Sequence, residues 1–379
     1  MKNFISCLSV LVLLLIAGCK KQAPSIQDET AQQANTVKYA RGLEIYRYEG
    51  YSIVKVTNPW PEAKETFTYV LRRNGVKVPD SLQQYPAVNV PLTSVVVTST
   101  THIPSLEMLG VENTLSGFPN TDFVSSENTR RRIDEGLVKE VGHNEELNTE
   151  ILIDLSPDAV VGFSISSNNK TYNNLQKSGI NVLYNGDWTE QSPLGKAEWI
   201  KFFGALYCLE EKAETLFNTI VKDYNEAALL AKKAATKPTV LSGAIYRDQW
   251  YLPQGNSWAA LFIKDAHAGY LWADTDGTGS LNLSFEAVLD KAENADYWIG
   301  PGQFTGFSEM TDANRHYARF KAFKERKVYT FSSKKGAKGG VLYYELAPNR
   351  PDLVLKDLIA ILHPELMPEY RLYFFEKLK

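Results

Sequence analysis

Between residues 209 and 235 the apolar side chains Ala213, Leu216, Phe217, Ile220, Val221, Tyr224, Ala227 and Ala228 recur at intervals of three and four. That spacing is the period of one helix face. Charged residues fill much of the opposite face, and no Gly or Pro interrupts the run before Pro238. A helix over 209–235 would run ~40 Å at about 1.5 Å per residue. It reads either as a helix inside one domain or as a strut between two. The flanking sequence favours the strut. Before it, Ser94–Thr98, Ala159–Phe163 and Asn181–Tyr184 are short apolar runs of the buried parallel-strand kind, with helical stretches at 102–110, 149–155, 169–178 and 193–207. After it, strands are expected at Thr239–Ser242, Trp250–Leu252, Tyr297–Ile299 and Val328–Phe331, and helices at 256–264, 284–292, 316–323 and 351–362. This rhythm predicts an α/β fold of two Rossmann-like βα lobes joined by one long helix. A chain of 379 residues suits two cores better than one.

Residues 39–92 have a different texture. Tyr51–Val56 is rich in β-branched residues, Thr66–Leu71 reads as a second strand, and Asn74-Gly75 is a turn signal. An N-terminal β-ribbon extension packed on the next lobe is expected. The organisation is then a signal over 1–18, a tether over 19–38, the β extension over 39–92, a first lobe over 93–208, the connecting helix over 209–235 and a second lobe over 236–379.

The chain starts with Lys2 and an apolar stretch from Leu8 to Ala17. The stretch is short of the ~20 residues that span a bilayer and suits the core of an export signal. It ends in Ile16-Ala17-Gly18-Cys19, which resembles the bacterial lipobox, so Cys19 is expected to carry lipid after cleavage. A plain secretory signal or a short membrane anchor is the alternative. The polar segment that follows reads as a flexible tether, and the expected location is the bacterial cell envelope, lipid-anchored on the periplasmic side. Cys7 leaves with the signal and Cys208 stands alone, which excludes a disulfide framework and a cysteine-rich zinc site. A net charge of −3 argues against nucleic acid as a partner.

Two segments echo each other. Asn148-Thr149-Glu150-Ile151-Leu152-Ile153-Asp154 leads through Pro157-Asp158 into Ala159-Val160-Val161. Ser284-Phe285-Glu286-Ala287-Val288-Leu289-Asp290 leads through Asp296 into Tyr297-Trp298-Ile299. Each opens on a helix-capping residue, with a Glu two positions later. The echo implies two lobes on one plan, with Glu150 and Glu286 in matching places. On physical grounds alone an acidic residue there is favoured by the helix dipole.

The lipobox, the two βα series, the long helix and the segment Leu147–Gly162 (LNTEILIDLSPDAVVG) together resemble the iron-complex and cobalamin substrate-binding lipoproteins of bacterial ABC importers. The stretches YLPQGNSWAALFIKDAHAGYLW, SFEAVLDKAENADYWI and Leu353–Leu366 are similar to that family as well, so the likeness covers roughly residues 90–366. Residues 39–89 depart from its plan. The resemblance implies the class III periplasmic-binding fold, a metal-chelate ligand such as a ferric siderophore, haem or cobalamin, and delivery to a permease dimer. It further implies that Glu150 and Glu286 dock onto the permease. No intrinsic cofactor, no bare metal site and no enzymatic activity are expected, and the protein is expected to be a monomer. The alternative is a lipid-anchored hydrolase using a carboxylate pair, for which Glu150 and Glu286 are the first suspects.

Ligands of α/β lobes bind beyond the carboxyl ends of the strands. The candidates in those loops are Thr101, His102, Phe118, Ser164 and Trp188 in the first lobe, and Arg247, Trp250, Tyr251 and Lys334 in the second. Aromatic faces with cations suit a large, flat or anionic metal chelate. Each residue reads equally as structural loop, and His102 also as the start of the helix after the first strand.

Overall fold

The computed structural model describes residues 34–61, 63–143, 146–167 and 169–379. The export signal and Cys19 lie outside the described residues. The helical stripe forms Glu210–Ala231, 22 residues and ~33 Å long. It buries Ala213, Phe217, Ile220, Tyr224, Ala227 and Ala231. It ends there rather than at 235 because no buried side chain follows to hold another turn. The N–H groups of Lys233 and Ala234 instead fold back onto the carbonyls of Leu230 and Ala231. The stripe packs against the helices Ile200–Leu206 and Pro351–Leu362. Tyr224 donates to Asp265 at 2.7 Å, and Lys356 pairs with Asp223 at 3.0 Å.

On the N-terminal side, five parallel strands lie in the order Val182–Tyr184, Ala159–Gly162, Val95–Val97, Leu115–Phe118 and Lys139–Glu140. On the C-terminal side the order is Gly269–Tyr270, Thr239–Ser242, Tyr297–Ile299, Val328–Thr330 and the antiparallel Glu376–Lys377. Setting aside the edge strands Lys139–Glu140 and Glu376–Lys377, both sheets run second, first, third, fourth. This is a doubly wound order with a switch point beside the first strand. The interiors are apolar: Val95, Val96, Val97, Val160, Val161, Val240 and Leu241 are fully buried.

The sequence echo is a structural one. Asn148 Oδ1 accepts the N–H groups of Glu150 and Ile151, and Ser284 Oγ accepts that of Ala287. The second aspartate of each segment then ties the third strand to the start of the first. Asp158 Oδ2 accepts the N–H of Thr93 at 2.6 Å and of Ser94 at 3.0 Å. Asp296 Oδ2 accepts that of Thr239 at 2.9 Å. Gly162 closes the signature because a Cβ there would meet the Tyr172 hydroxyl at 2.3 Å.

Three expectations are corrected. The strand at Trp250–Leu252 does not join the parallel sheet. It belongs to Gln249–Pro253, the centre of an antiparallel sheet with Ala244–Tyr246 and Ser280–Leu283. Arg247, at φ 55°, begins the two-residue turn that folds the hairpin back. The helix at 193–207 divides at Trp199 into Pro193–Glu198 and Ile200–Leu206. The helix at 316–323 is a 3-10 turn over Arg315–Arg319 and a short helix over Lys321–Lys324, because Phe320 between them is extended.

The N-terminal extension is a four-stranded sheet rather than a ribbon. Leu43–Tyr48, Tyr51–Thr57 and Thr66–Arg73 pair antiparallel, and Ala87–Val90 joins in parallel. It is fastened by two buried carboxylates. Glu198 accepts the N–H groups of Lys38, Tyr39 and Ala40. Glu190 accepts those of Arg41 and Gly42. Five consecutive backbone donors are thereby held by side chains about 150 residues away in sequence.

Candidate functional site

The first lobe meets the C-terminal part of the chain along a polar seam. Asn349, between the helices Leu342–Leu346 and Pro351–Leu362, donates through Nδ2 to the carbonyl of Thr101 and accepts through Oδ1 from Ser105 Oγ, both at 2.8 Å. Glu345, 2% exposed, accepts the N–H groups of Ser125 and Ser126 at 2.7 and 2.8 Å. Beside it, Glu107 accepts from the hydroxyls of Ser126 and Thr129. Gly340 makes the approach possible, since a Cβ there would lie 2.1 Å from the Phe123 carbonyl oxygen. The lysine-rich stretch 334–340 therefore packs backbone to backbone against residues 123–125.

A cavity of about 720 Å³ opens between the extension, the loop after Val182–Tyr184 and the second lobe. Arg41, Asn58 and Trp60 come from the extension, Trp188, Glu190 and Lys196 from the first lobe, and Trp258, Thr278 and Gly279 from the second. The Trp188 indole N–H donates to the Pro59 carbonyl at 3.1 Å, which fixes the ring at the boundary between lobe and extension. Trp60 packs edge-on against Phe67 and Tyr184. Lys196 is buried, and its Nζ stands 5.4 Å from the centroid of the Trp258 ring. That ammonium donates to the carbonyls of Asp187 and Trp188 at 3.1 and 3.0 Å. Burial pushes its pKa down, while Asp187 and Glu190 pull it back up.

Of the nine ligand-contact candidates, Trp188 lines this cavity. Thr101 lies at the seam, its hydroxyl donating to Asp187 at 2.6 Å. His102 is corrected to a packing residue. It is 0% exposed, its ring 5.6 Å from that of Phe203, and burial pushes its pKa down against the opposing pull of Asp187 and Asn185. Phe118 and Ser164 are buried too, with the Ser164 hydroxyl turned to the Ser166 carbonyl. Trp250 is also corrected: it is fully buried, stacked 5.2 Å from Trp298, and donates to the Ser242 carbonyl. Alternation along its strand puts Tyr251 on the other face, where it is exposed beside Tyr246 and Arg247. Lys334 is engaged with the carbonyls of Leu372 and Tyr373.

Arg41, Trp60, Lys196 and Trp258 were not legible as site residues. Arg41 precedes the first strand and Lys196 lies inside a helix, both away from the strand ends that guide such a reading, and the extension carries no motif. Among the described residues no group of three or more His, Cys, Asp or Glu is placed to hold a metal ion. Glu150 and Glu286 are both exposed in the first turns of their helices. Glu286 borders a groove with Phe285, Leu289, Asp290, Glu293, His316 and Arg319.

These placements set an expectation for fluorescence. A bound aromatic chelate should quench the three tryptophans that line the cavity, Trp60, Trp188 and Trp258, so Trp188→Phe should lose its share of the quenching while Trp250→Phe retains all of it. Trp250→Phe should instead lower stability by about 1–2 kcal/mol, through the lost indole hydrogen bond and volume. Undiminished quenching in Trp188→Phe would place the ligand elsewhere.

Residues 95–334 match the periplasmic binding protein family. An uncharacterized lipoprotein of Methanocaldococcus jannaschii is 27% identical over 364 residues, covering 90% of this chain and 85% of that protein. Among solved structures, the chain is similar to a periplasmic haem-binding protein of Pseudomonas aeruginosa, with a TM-score of 0.56 and 16% identity over 76% of this chain and 98% of that one. It is also similar to a periplasmic haem-binding protein of Vibrio cholerae, with a TM-score of 0.54 and 18% identity over 69% of this chain and 99% of that one. The likeness to both structures is one of fold. The family match begins at Val95, so the four-stranded extension lies outside it.

Proposed function

The chain belongs to the periplasmic binding protein family, and from that premise we propose that it captures a metal chelate and delivers it to the permease of an ABC transporter. The observation that carries this reading is the cavity with tryptophans and cations on its walls, set between two lobes of matching topology. Its volume falls within the ~300–1,000 Å³ of small-molecule sites. The ligand class is an iron complex, as a siderophore or haem, or cobalamin. Lipid on Cys19 would hold the protein at the periplasmic side of the membrane, and a relative described as a lipoprotein supports this.

Glu150 and Glu286 are the docking groups in this reading. Both are exposed, one on each lobe, and each heads the helix that leads into the third strand. Exposed charge pairs contribute ~0.2–1 kcal/mol each, so the pair sets orientation on the permease more than affinity. The carboxylate-pair hydrolase gains no support from groups that stand exposed on separate lobes.

The test is titration of the purified protein with hemin, a ferric hydroxamate and cobalamin, followed by uptake in vesicles reconstituted with the permease. Glu150→Ala with Glu286→Ala should leave ligand affinity within about twofold of the parent and reduce uptake, up to about thirtyfold if each pair is worth ~1 kcal/mol. A large loss of affinity in the double variant would refute the docking assignment.

A further inference from the structure

We propose that the outer face of the N-terminal sheet is a membrane-contact surface, which seats the folded body on a bilayer carrying anionic headgroups. This rests on the anchoring part of the reading above, lipid on Cys19, and not on which ligand is captured. Alternation divides the strands Leu43–Tyr48 and Tyr51–Thr57 between two faces. Leu43, Ile45, Val54 and Val56 are buried in the core. The other face presents Tyr46, Tyr48, Tyr51 and Ile53, each half-buried. Tyr46 lies opposite Ile53 and Tyr48 opposite Tyr51, so the four side chains form one block. The rings of Tyr48 and Tyr51 stack with centroids 4.8 Å apart and planes 7° from parallel. Val70, opposite Ile53 on the next strand, is fully buried, which confines the open part of this face to the first two strands. Cations stand at its borders. Lys55 Nζ lies 5.1 Å from the centroid of the Tyr46 ring, and Arg72 is opposite Tyr51. Tyrosines flanked by Lys and Arg suit the boundary between lipid headgroups and water, where a ring meets apolar surface and its hydroxyl stays wet.

Charge and chain path select a bilayer as the occupant. Residues 35–92 hold eight Lys and Arg against five Asp and Glu, whereas residues 93–379 hold 30 against 37. An anionic surface therefore attracts the extension and repels the two lobes. The chain enters the sheet at its edge strand Leu43–Tyr48. Asn35 Oδ1 accepts the N–H of Ile45 at 3.0 Å, and the Thr36 N–H donates to the Ile45 carbonyl at 3.1 Å. Asn35 follows Cys19 by 16 residues. Even fully extended, that length of chain reaches no more than ~55 Å. The edge of this sheet is thus the part of the folded body that the lipid holds nearest. The sheet also lies outside the family match, so the surface is this chain's own addition to the shared fold.

The test is hydroxyl-radical footprinting of the full chain, processed and lipid-bearing, in two settings. One is vesicles of phosphatidylcholine with one-third phosphatidylglycerol, and the other is micelles of a neutral maltoside. Labelling of Tyr46, Tyr48 and Tyr51 should fall about threefold or more in the vesicles, while Tyr246 and Tyr251, exposed on the second lobe, should label alike in both. Lys55→Glu with Arg72→Glu should remove most of that protection, and about 0.5 M salt should weaken it without any substitution. Near-ultraviolet circular dichroism reports whether the double variant is folded. Equal labelling of the three tyrosines in vesicles and micelles would overturn the contact surface, as would protection that neither charge reversal nor salt reduces. Protection in micelles that grows with protein concentration would overturn it by assigning the face to a second copy of the chain. Mass spectrometry of Cys19 separates the two levels of the argument. A protein without lipid there would overturn anchoring and this inference with it, whereas a lipid-bearing protein with unprotected tyrosines would overturn this inference alone.

Discussion

Glu198→Ala should destabilise the protein by about 3–5 kcal/mol, chiefly through the loss of the hydrogen bonds from three backbone donors to a charged acceptor. The side chain is 0% exposed and accepts three consecutive backbone N–H groups, those of Lys38, Tyr39 and Ala40. It also pairs with Lys201 at 2.8 Å, and Lys201 is itself 1% exposed. Truncation leaves those donors facing a void. Lys201 keeps Glu214 at 2.9 Å and the Thr36 carbonyl at 2.9 Å, so its charge is not abandoned. The three backbone donors have no such reserve. The loss should therefore show first as release of residues 34–42, read by hydrogen exchange of Lys38, Tyr39 and Ala40, and then in a lower urea midpoint. A cost below about 1 kcal/mol would mean that the extension is held by its apolar contacts with the first lobe, such as those around Trp60 and Tyr184. Released chain would also carry Arg41 away from the cavity that it lines, so the affinity for a bound chelate should fall in the same variant.

How much of this was legible in the sequence depends on the range over which each signal acts. The long helix was, because its stripe repeats through 22 residues and each buried position reports the same face. The lobe plan was, because capping residues and the aspartates that follow are local in sequence: Asn148, Ser284, Asp158 and Asp296 all act within one βα unit. The extension was legible as β-structure but not as a wall of the site. Its attachment depends on Glu190, just before the helix Pro193–Glu198, and on Glu198 at its end, which look like solvent-facing charges until the fold brings residues 38–42 over them. Trp250 misled for a related reason. An aromatic pair after an apolar run resembles a binding loop, whereas a hairpin turn at Arg247 makes it a strand with one face buried and the other exposed. His102 lies where a loop ends and a helix begins, and only burial decides between contact and packing.

Glu345 should make the stability of the protein fall as the pH rises from about 4.5 to about 7. Burial raises its pKa from the ordinary 4.5 to about 7, with Glu107 adding to the rise and the bonds from Ser125 and Ser126 opposing it. In that window the folded protein keeps a proton that the unfolded chain has released. The unfolded state therefore binds fewer protons, and stability declines with pH. The contribution is fully present below about 4.5 and is lost as the pH passes about 7, amounting to about 3 kcal/mol at most. Asp357 is buried as well and its pKa is raised by that burial, so the parent profile carries a second slope of the same sign. Glu345→Gln separates the two, because a neutral amide retains the size and an acceptor for the N–H of Ser125 or Ser126 without titrating. Urea midpoints measured from pH 4.5 to 8 should show the parent losing stability relative to Glu345→Gln as the pH rises, and parallel profiles would remove Glu345 as the cause. The position of the group gives the slope a consequence for the cleft. Glu345 spans the seam beside Glu107, so ionisation places two carboxylates around the Ser125–Ser126 turn and weakens the contact between the first lobe and the helix Leu342–Leu346. Exchange of the Ser125 and Ser126 amides should accordingly quicken between pH 6 and 8 beyond the intrinsic base-catalysed rise, and that excess should disappear in Glu345→Gln.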